Sequence, residues 1–226
     1  MPEIIDWPCS LIRPQDVSYF IQWTTRDAGA NLAGVPQVIT PSMGVWRVDV
    51  TIARDFDGMR VKELEALVSE MRGRFNIARL CICDPYKYDA RVSPKQWPFS
   101  DGTWFSDGTG FSDPNGPGES LLTTAVVAAG ANEMTVDLTS PAKPALRRGD
   151  MFSVNGFLYR VVRRDNAGWV RFEPSAREAF PAGTALQTDP PRWCGRFVDD
   201  EQGRRVREGL RWGQSITLSF IEAFDR

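Results

Sequence analysis

"MFSVNGFLYRVV", Met151 to Val162, sets two apolar runs on either side of Asn155-Gly156. Asn-Gly flanked by apolar runs is the strongest short-range hairpin signal, because both central positions of a type I′ turn need a positive φ. Around it, "EMTVDL" alternates Met134, Val136 and Leu138, while "GWVRFEP" and "GTALQTD" read as two further short strands. No helical periodicity interrupts residues 121–187. The block therefore predicts a small barrel of about five or six strands.

Both flanks carry longer strands. "VSYFIQW" places Val17, Tyr19, Ile21 and Trp23 on one face. "VWRVDVTIAR" places Trp46, Val48, Val50 and Ile52 on one face, with Arg47, Asp49 and Thr51 opposite. Both read as half-buried strands, with Trp23 and Trp46 turned to the core. Between them "RDAGANLAGVPQVITPSMG" is rich in Gly and Pro and reads as a long loop or a loose hairpin arm. In "MRVKELEALVSEMRG", Val61, Leu64, Leu67, Val68 and Met71 form one stripe, which predicts an amphipathic helix over about 59–72. Asp57 is its candidate N-cap and Gly73 its stop. "RLCICDP" gives a strand stopped by Pro85, and the chain finishes on a strand with Ile216, Leu218 and Phe220 on one face. This order, helix-bearing β first, β-only in the middle and β last, predicts an insertion. Residues 1–96 and 192–226 then make one β domain, 97–118 a crossover, and 119–191 an inserted β-barrel.

The chain has 226 residues, more than the usual size of one domain, with 42% hydrophobic and 25% charged residues. Its 27 Lys and Arg against 29 Asp and Glu give a formal charge of −2, so there is no basic footprint for nucleic acid or an anionic membrane. No window suits a bilayer span, and the start "MPEIIDWP" lacks a basic leader region, which predicts a chain made and kept in the cytosol. No histidine is present, which removes Ser-His-Asp and Cys-His triads outright. Cys9, Cys81, Cys83 and Cys194 are too few for a disulfide framework and read as buried reduced thiols. Arg148-Gly149-Asp150 reads as a turn entering the strand "MFSV", and no phosphate-binding glycine loop is found.

One stretch departs from ordinary domain sequence. "FSDGTWFSDGTGFSDPNG", Phe99 to Gly116, repeats Phe-Ser-Asp three times at a spacing of six residues. One Asp per six-residue repeat fits neither an EF-hand loop nor the nine-residue calcium roll. Asp-Gly turns separated by buried Phe anchors fit better, which makes Trp97, Phe99, Trp104, Phe105 and Phe111 candidate interface or crossover anchors. Carboxylates are plentiful at Asp55, Asp57, Asp101, Asp107, Asp113 and Asp199 to Glu201, yet none forms a recognisable acid/base pair. The basic groups Arg204, Arg205 and Arg207, and Lys143, Arg147 and Arg148, read as solvated faces or subunit contacts. No catalytic, metal or cofactor residue is assigned.

"RRGDMFSVNGFLYRVVRRDNAGWVRFEPSAREAFPAGTAL", with its G-D-M-F, N-G, F-L-Y-R-V, E-P and "REAFPAGT" elements, resembles a module of tail proteins of long-tailed bacteriophages and gene transfer agents. The F-S-D-G-T repeats belong to the same resemblance, which spans roughly Trp97 to Asp189, and "ITLSFIEAF" is similar to the ends of phage tail-ring subunits. By architecture the chain most resembles the distal tail protein family. The resemblance implies a mainly β fold, a tail-ring β-sandwich or barrel with one α-helix plus an inserted small β-barrel. It also implies a structural virion protein rather than an enzyme: a hexameric ring in the virion tail, assembled in the bacterial host cytoplasm. Its implied partners are further copies of itself, the tail-tube protein and the baseplate hub or tip, with DNA passing through the lumen and no membrane contact. Two rival expectations are a receptor- or carbohydrate-binding tail module using Trp97, Trp104 and the repeat aspartates, and a carboxylate-dependent cell-wall hydrolase.

Overall fold

The computed structural model describes residues 1–11, 14–30, 34–39, 43–82, 96–97, 100–103, 106, 111–112, 121–138, 146–188, 190–209 and 212–226. The elements begin with β1 (Ile4–Asp6), β2 (Pro14–Gln22), β3 (Arg26–Ala30), β4 (Pro36–Ile39), β5 (Val45–Ile52), α1 (Gly58–Glu70) and β6 (Ile77–Cys81). The middle of the chain supplies β7 (Gln96–Trp97), β8 (Phe111–Ser112), β9 (Leu121–Leu122), β10 (Glu133–Thr135), β11 (Met151–Val154), β12 (Phe157–Arg164), β13 (Trp169–Glu173) and β14 (Ala185–Leu186). It ends with β15 (Arg192–Phe197), β16 (Arg207–Glu208), β17 (Trp212–Gly213) and β18 (Ile216–Glu222). Among the described residues there are eighteen strands and one helix, so the fold is mainly β. The chain forms two compact units. The first is Met1–Cys83, Asn155–Leu158 and Pro190–Arg226; the second is Asp84–Val154 and Tyr159–Asp189.

The first unit is built on a six-stranded sheet in the order β1-β6-β15-β18-β5-β2, parallel only between β1 and β6. Period-two patterning explains it. In β5, Trp46, Val48, Val50 and Ile52 are buried while Arg47, Asp49 and Thr51 take the half-exposed face. Opposite them in β18, Leu218 and Phe220 are buried, and on the polar face Thr51 and Thr217 share a hydroxyl hydrogen bond of 3.0 Å. Trp7 packs edge-on against Phe197 and Phe220, with ring centroids 6.2 and 5.7 Å away. The hairpin tip Asn155–Leu158 completes this core: the Trp46 indole N–H donates to the Leu158 carbonyl at 2.6 Å, and the Cys194 amide donates to the Gly156 carbonyl at 3.0 Å.

Helix α1 starts where its side-chain chemistry says it should. Asp57 stands at the N-cap in extended conformation, and its Oδ1 accepts from the Met59 amide at 3.0 Å. Val61, Leu64 and Met71 bury the apolar stripe, and Gly73, at φ +63°, follows the end of the helix. Asp57→Ala is expected to lower stability by about 1 kcal/mol, read from urea titration, since it orphans one helix N-terminal donor.

The second unit closes on itself. A sheet in the order β10-β13-β12-β11 is joined to the β9–β14 pair through the bridges Thr123↔Val136 and Ser153↔Gln187. Among the described residues, these two isolated bridges link the β9–β14 pair to both edges of the four-stranded sheet, so the six strands make a barrel-like circuit. Its interior is aromatic: Phe152, Tyr159, Phe172 and Phe180 are fully buried, with Phe152 stacked on Tyr159 at 5.3 Å. The Asn155-Gly156 turn has φ values of +47° and +75°, as the hairpin signal predicts. The Arg148-Gly149-Asp150 tripeptide is a turn, with Asp150 Oδ2 accepting from the Arg147 amide at 2.6 Å and Gly149 at φ +98°.

Two expectations are corrected. Cys9 and Cys81 are joined in a disulfide, with Cα atoms 5.6 Å apart, and are not reduced thiols. The parallel pairing of β1 with β6 brings them together, a contact that no local pattern encodes. Cys194 is free and buried, as expected, and Cys83 lies outside the described residues. Trp23 is 39% exposed rather than in the core. It lies just past the end of β2, over Gly44, whose missing side chain leaves room for the indole.

Candidate assembly surface

The segment between β2 and β5 folds as a hairpin arm. In β3 and β4 every residue is exposed, and the register pairs Arg26 with Ile39, Asp27 with Val38, and Ala30 with Pro36. The register shift between Asp27 and Ala30 has a local cause: Asp27 Oδ1 accepts from the Gly29 amide at 2.8 Å, and Gly29 takes φ +87°. Beside the exposed Arg26, Asp27 and Gln37, the arm presents apolar side chains to solvent. Val38 and Ile39 are 62% and 63% exposed, and Val35 and Met43 are also exposed. A two-stranded hairpin without a covering layer is marginal in water. Exposed β-branched residues on an edge strand are what sheets normally avoid unless a partner covers them.

A second exposed patch is built from different chemistry. The isolated bridge between Asp55 and Gly213, with reciprocal amide bonds of 2.9 and 3.0 Å, brings Phe56 beside Trp212. Their rings meet edge to face at 5.7 Å, and the Arg54 guanidinium lies over both, 5.2 and 5.4 Å from the centroids. Glu208 holds Arg54 in an ion pair of 2.6 Å. Beneath the bridge Arg205 donates to the carbonyls of Gln214, Gly213 and Ala53 at 2.8, 3.2 and 3.3 Å. Arg207 forms a two-pronged pair with Glu65 of α1. Arg207, expected with Arg205 on a solvated or subunit-contact face, is exposed, and both also brace the β16–β17 hairpin against the end of β5 and the helix.

Asp55 adds a pH dependence to this patch. Burial raises its carboxyl, but the Asp57 amide, the hydrogen bond and charge of Arg60 at 2.8 Å, and the charge of Arg205 together hold it below the usual carboxylate value. A carboxylate depressed in the folded state contributes stability that is full above its unfolded pKa of about 3.9 and is lost as pH falls through the folded value. Asp55→Asn is therefore expected to lower stability at pH 7 while leaving a shallower acid limb below about pH 4, measured by urea titration across pH.

The sequence candidates fall unevenly. Trp97 and Phe111 lie directly opposite each other in the short β7–β8 ladder. Phe99, Trp104 and Phe105 lie outside the described residues. The first Asp-Gly of the repeat is a turn: Asp101 Oδ1 accepts from the Thr103 hydroxyl and amide at 2.6 and 2.9 Å, and Gly102 takes φ +83°. Those bonds, the hydroxyl first, hold the Asp101 carboxyl below its ordinary value. Among the described residues no three His, Cys, Asp or Glu side chains are grouped to hold a metal ion. Sequence reasoning missed the Phe56–Trp212 patch, since its members sit far apart in the chain. For the arm the signal was present: Val35, Val38 and Ile39 are apolar residues inside a turn-rich segment. No family model matches the chain, and the comparison with curated proteins finds no match.

Proposed function

We propose that this chain is a ring-forming structural subunit of a bacteriophage or gene-transfer-agent tail, of the distal tail type. The observation that carries the reading is the β3–β4 arm, a hairpin with every strand residue exposed, Val38 and Ile39 among them. Such an arm is completed by a partner, and a ring supplies one by repeating a single head-to-tail contact. A head-to-tail contact needs two unlike patches on each subunit. The aliphatic arm and the aromatic-cationic Phe56–Arg54–Trp212 patch are unlike in that sense. The near-neutral charge of −2 suits a lumen through which DNA slides without being held. The expected neighbours are the tail tube and the baseplate hub or tip, and no residue is assigned a catalytic role.

The test is the mass of the purified chain in solution by analytical ultracentrifugation. The expected result is a hexamer whose population rises with concentration. The double substitution Val38→Lys and Ile39→Lys is expected to leave a monomer with an unchanged circular dichroism spectrum. A wild-type chain that stays monomeric at every concentration, alone and with purified tail-tube protein, would count against the ring.

A further inference from the structure

We propose that Cys9 and Cys81 act as a redox latch on the N-terminal segment, open in a reducing cytoplasm and closed by oxidation outside it. The proposal concerns the first unit alone; it rests on the reading of the chain as part of a particle released from the cell, but not on a ring.

The segment before residue 12 is an internal plug held by buried side chains, by the Glu3 amide donating to Asn76 Oδ1 at 3.1 Å, and by one short edge strand. Ile5, Trp7 and Leu11 are buried in the first unit, and Trp7 seats against Phe197 and Phe220. The plug is held by β1, an edge strand of three residues paired on one side only. The backbone bonds flanking that pairing are Trp7 amide to Arg79 carbonyl at 3.0 Å and Ile77 amide to Glu3 carbonyl at 2.9 Å. Asp6 adds ion pairs to Arg79 at 3.2 Å and Arg192 at 3.6 Å, both exposed and therefore weak. Against these, the Trp7 indole N–H is buried with no acceptor among the described residues, a cost that favours release of the segment.

The disulfide is placed where it restrains this opening. It joins Cys9, two residues past Trp7, to the last residue of β6, the strand that β1 pairs with. Both cysteines are half-buried and so reachable by a small reagent, whereas Cys194 is buried. A low-molecular-weight disulfide R–S–S–R closes the latch by two exchanges. The first thiolate attacks one sulfur of R–S–S–R, forming a mixed disulfide and expelling RS⁻. The second protein thiolate then attacks the protein sulfur of that mixed disulfide and expels the other RS⁻. The two protein thiols lose two electrons and two protons, and R–S–S–R is reduced to two RSH. Disulfides persist at the surface of particles outside the cell and are kept reduced within it, so one chain can be open when made and latched when released.

The experiment uses the full chain, reduced and then divided, with one portion treated with oxidised glutathione. Peptide mapping is expected to show a Cys9–Cys81 link, with the intact mass lower by two hydrogens. Hydrogen exchange at the Trp7 and Ile77 amides is expected to slow by at least about tenfold on oxidation, while the Phe172 amide in the barrel is unchanged. Cys9→Ser should abolish the difference. A link that runs to Cys83 instead, a glutathione adduct that never closes, or equal exchange at Trp7 and Ile77 in both portions overturns the latch. Because the wild-type chain carries the measurement, poor folding of the variant leaves the result readable.

Discussion

Replacing Trp46 with alanine is expected to destabilise the first unit by about 4 kcal/mol. Trp46 is fully buried on the core face of β5, so its removal leaves a cavity the size of an indole in a sheet that is tightly packed on both neighbours. The loss is more than volume. Its indole N–H is the donor to the Leu158 carbonyl at 2.6 Å, and without it that acceptor is buried and unpaired. Trp46→Phe separates the terms: it keeps most of the packing and removes the donor, so about 1–3 kcal/mol should be lost. The backbone amide of Trp46 also donates to Glu222 Oε2 at 3.1 Å, and this bond survives both changes. Urea titration of the two variants against wild type reads the difference. A Trp46→Ala chain within 1 kcal/mol of wild type, on the scale of a surface change, would contradict this account of the core.

Reducing the Cys9–Cys81 disulfide is expected to cost about 4 kcal/mol, from the chain entropy that a loop of 72 residues regains in the unfolded state. Thermal melts with and without a thiol reductant measure it, and Cys81→Ser should melt at the same temperature in both conditions. Equal melting of wild type in both conditions would show that the bridge does not hold the unfolded chain together.

How far the sequence reaches depends on the range of the interaction concerned. Trp46, Val48, Val50 and Ile52 are legible as a core face because period two is written locally, and they are buried. The Asn155-Gly156 turn and the Asp57 cap are legible for the same reason: each is decided within four residues. Sheet order is not local. Nothing near Ile77 announces that β6 lies between β1 and β15, because that pairing joins residues from opposite ends of the chain. The Cys9–Cys81 bridge inherits that difficulty, since Cys9 sits outside any periodic segment. Trp23 fails differently: alternation points it inward, but β2 ends at Gln22, so the period no longer sets its direction. At the assembly surface, composition marks the arm, whereas the Phe56–Trp212 patch depends on one backbone bridge, Asp55 to Gly213, which sequence does not encode.

The strand order of the first unit also sets a timetable for synthesis. β6 is translated before the barrel strands, yet its second neighbour, β15, begins only at Arg192, and β18, which pairs with β5, comes later still. While the ribosome is reading residues 84–189, the earlier strands β5 and β6 each lack a partner. The second unit is by then complete in sequence. Its shorter-range pairings make it the unit to fold first, leaving the N-terminal strands waiting with open edges until the last strands emerge. A released chain truncated before Arg192 should therefore protect residues 121–187 from protease and leave residues 45–81 open to it. Such a sheet has reason to be assembled late, in the company of a chaperone or of neighbouring chains.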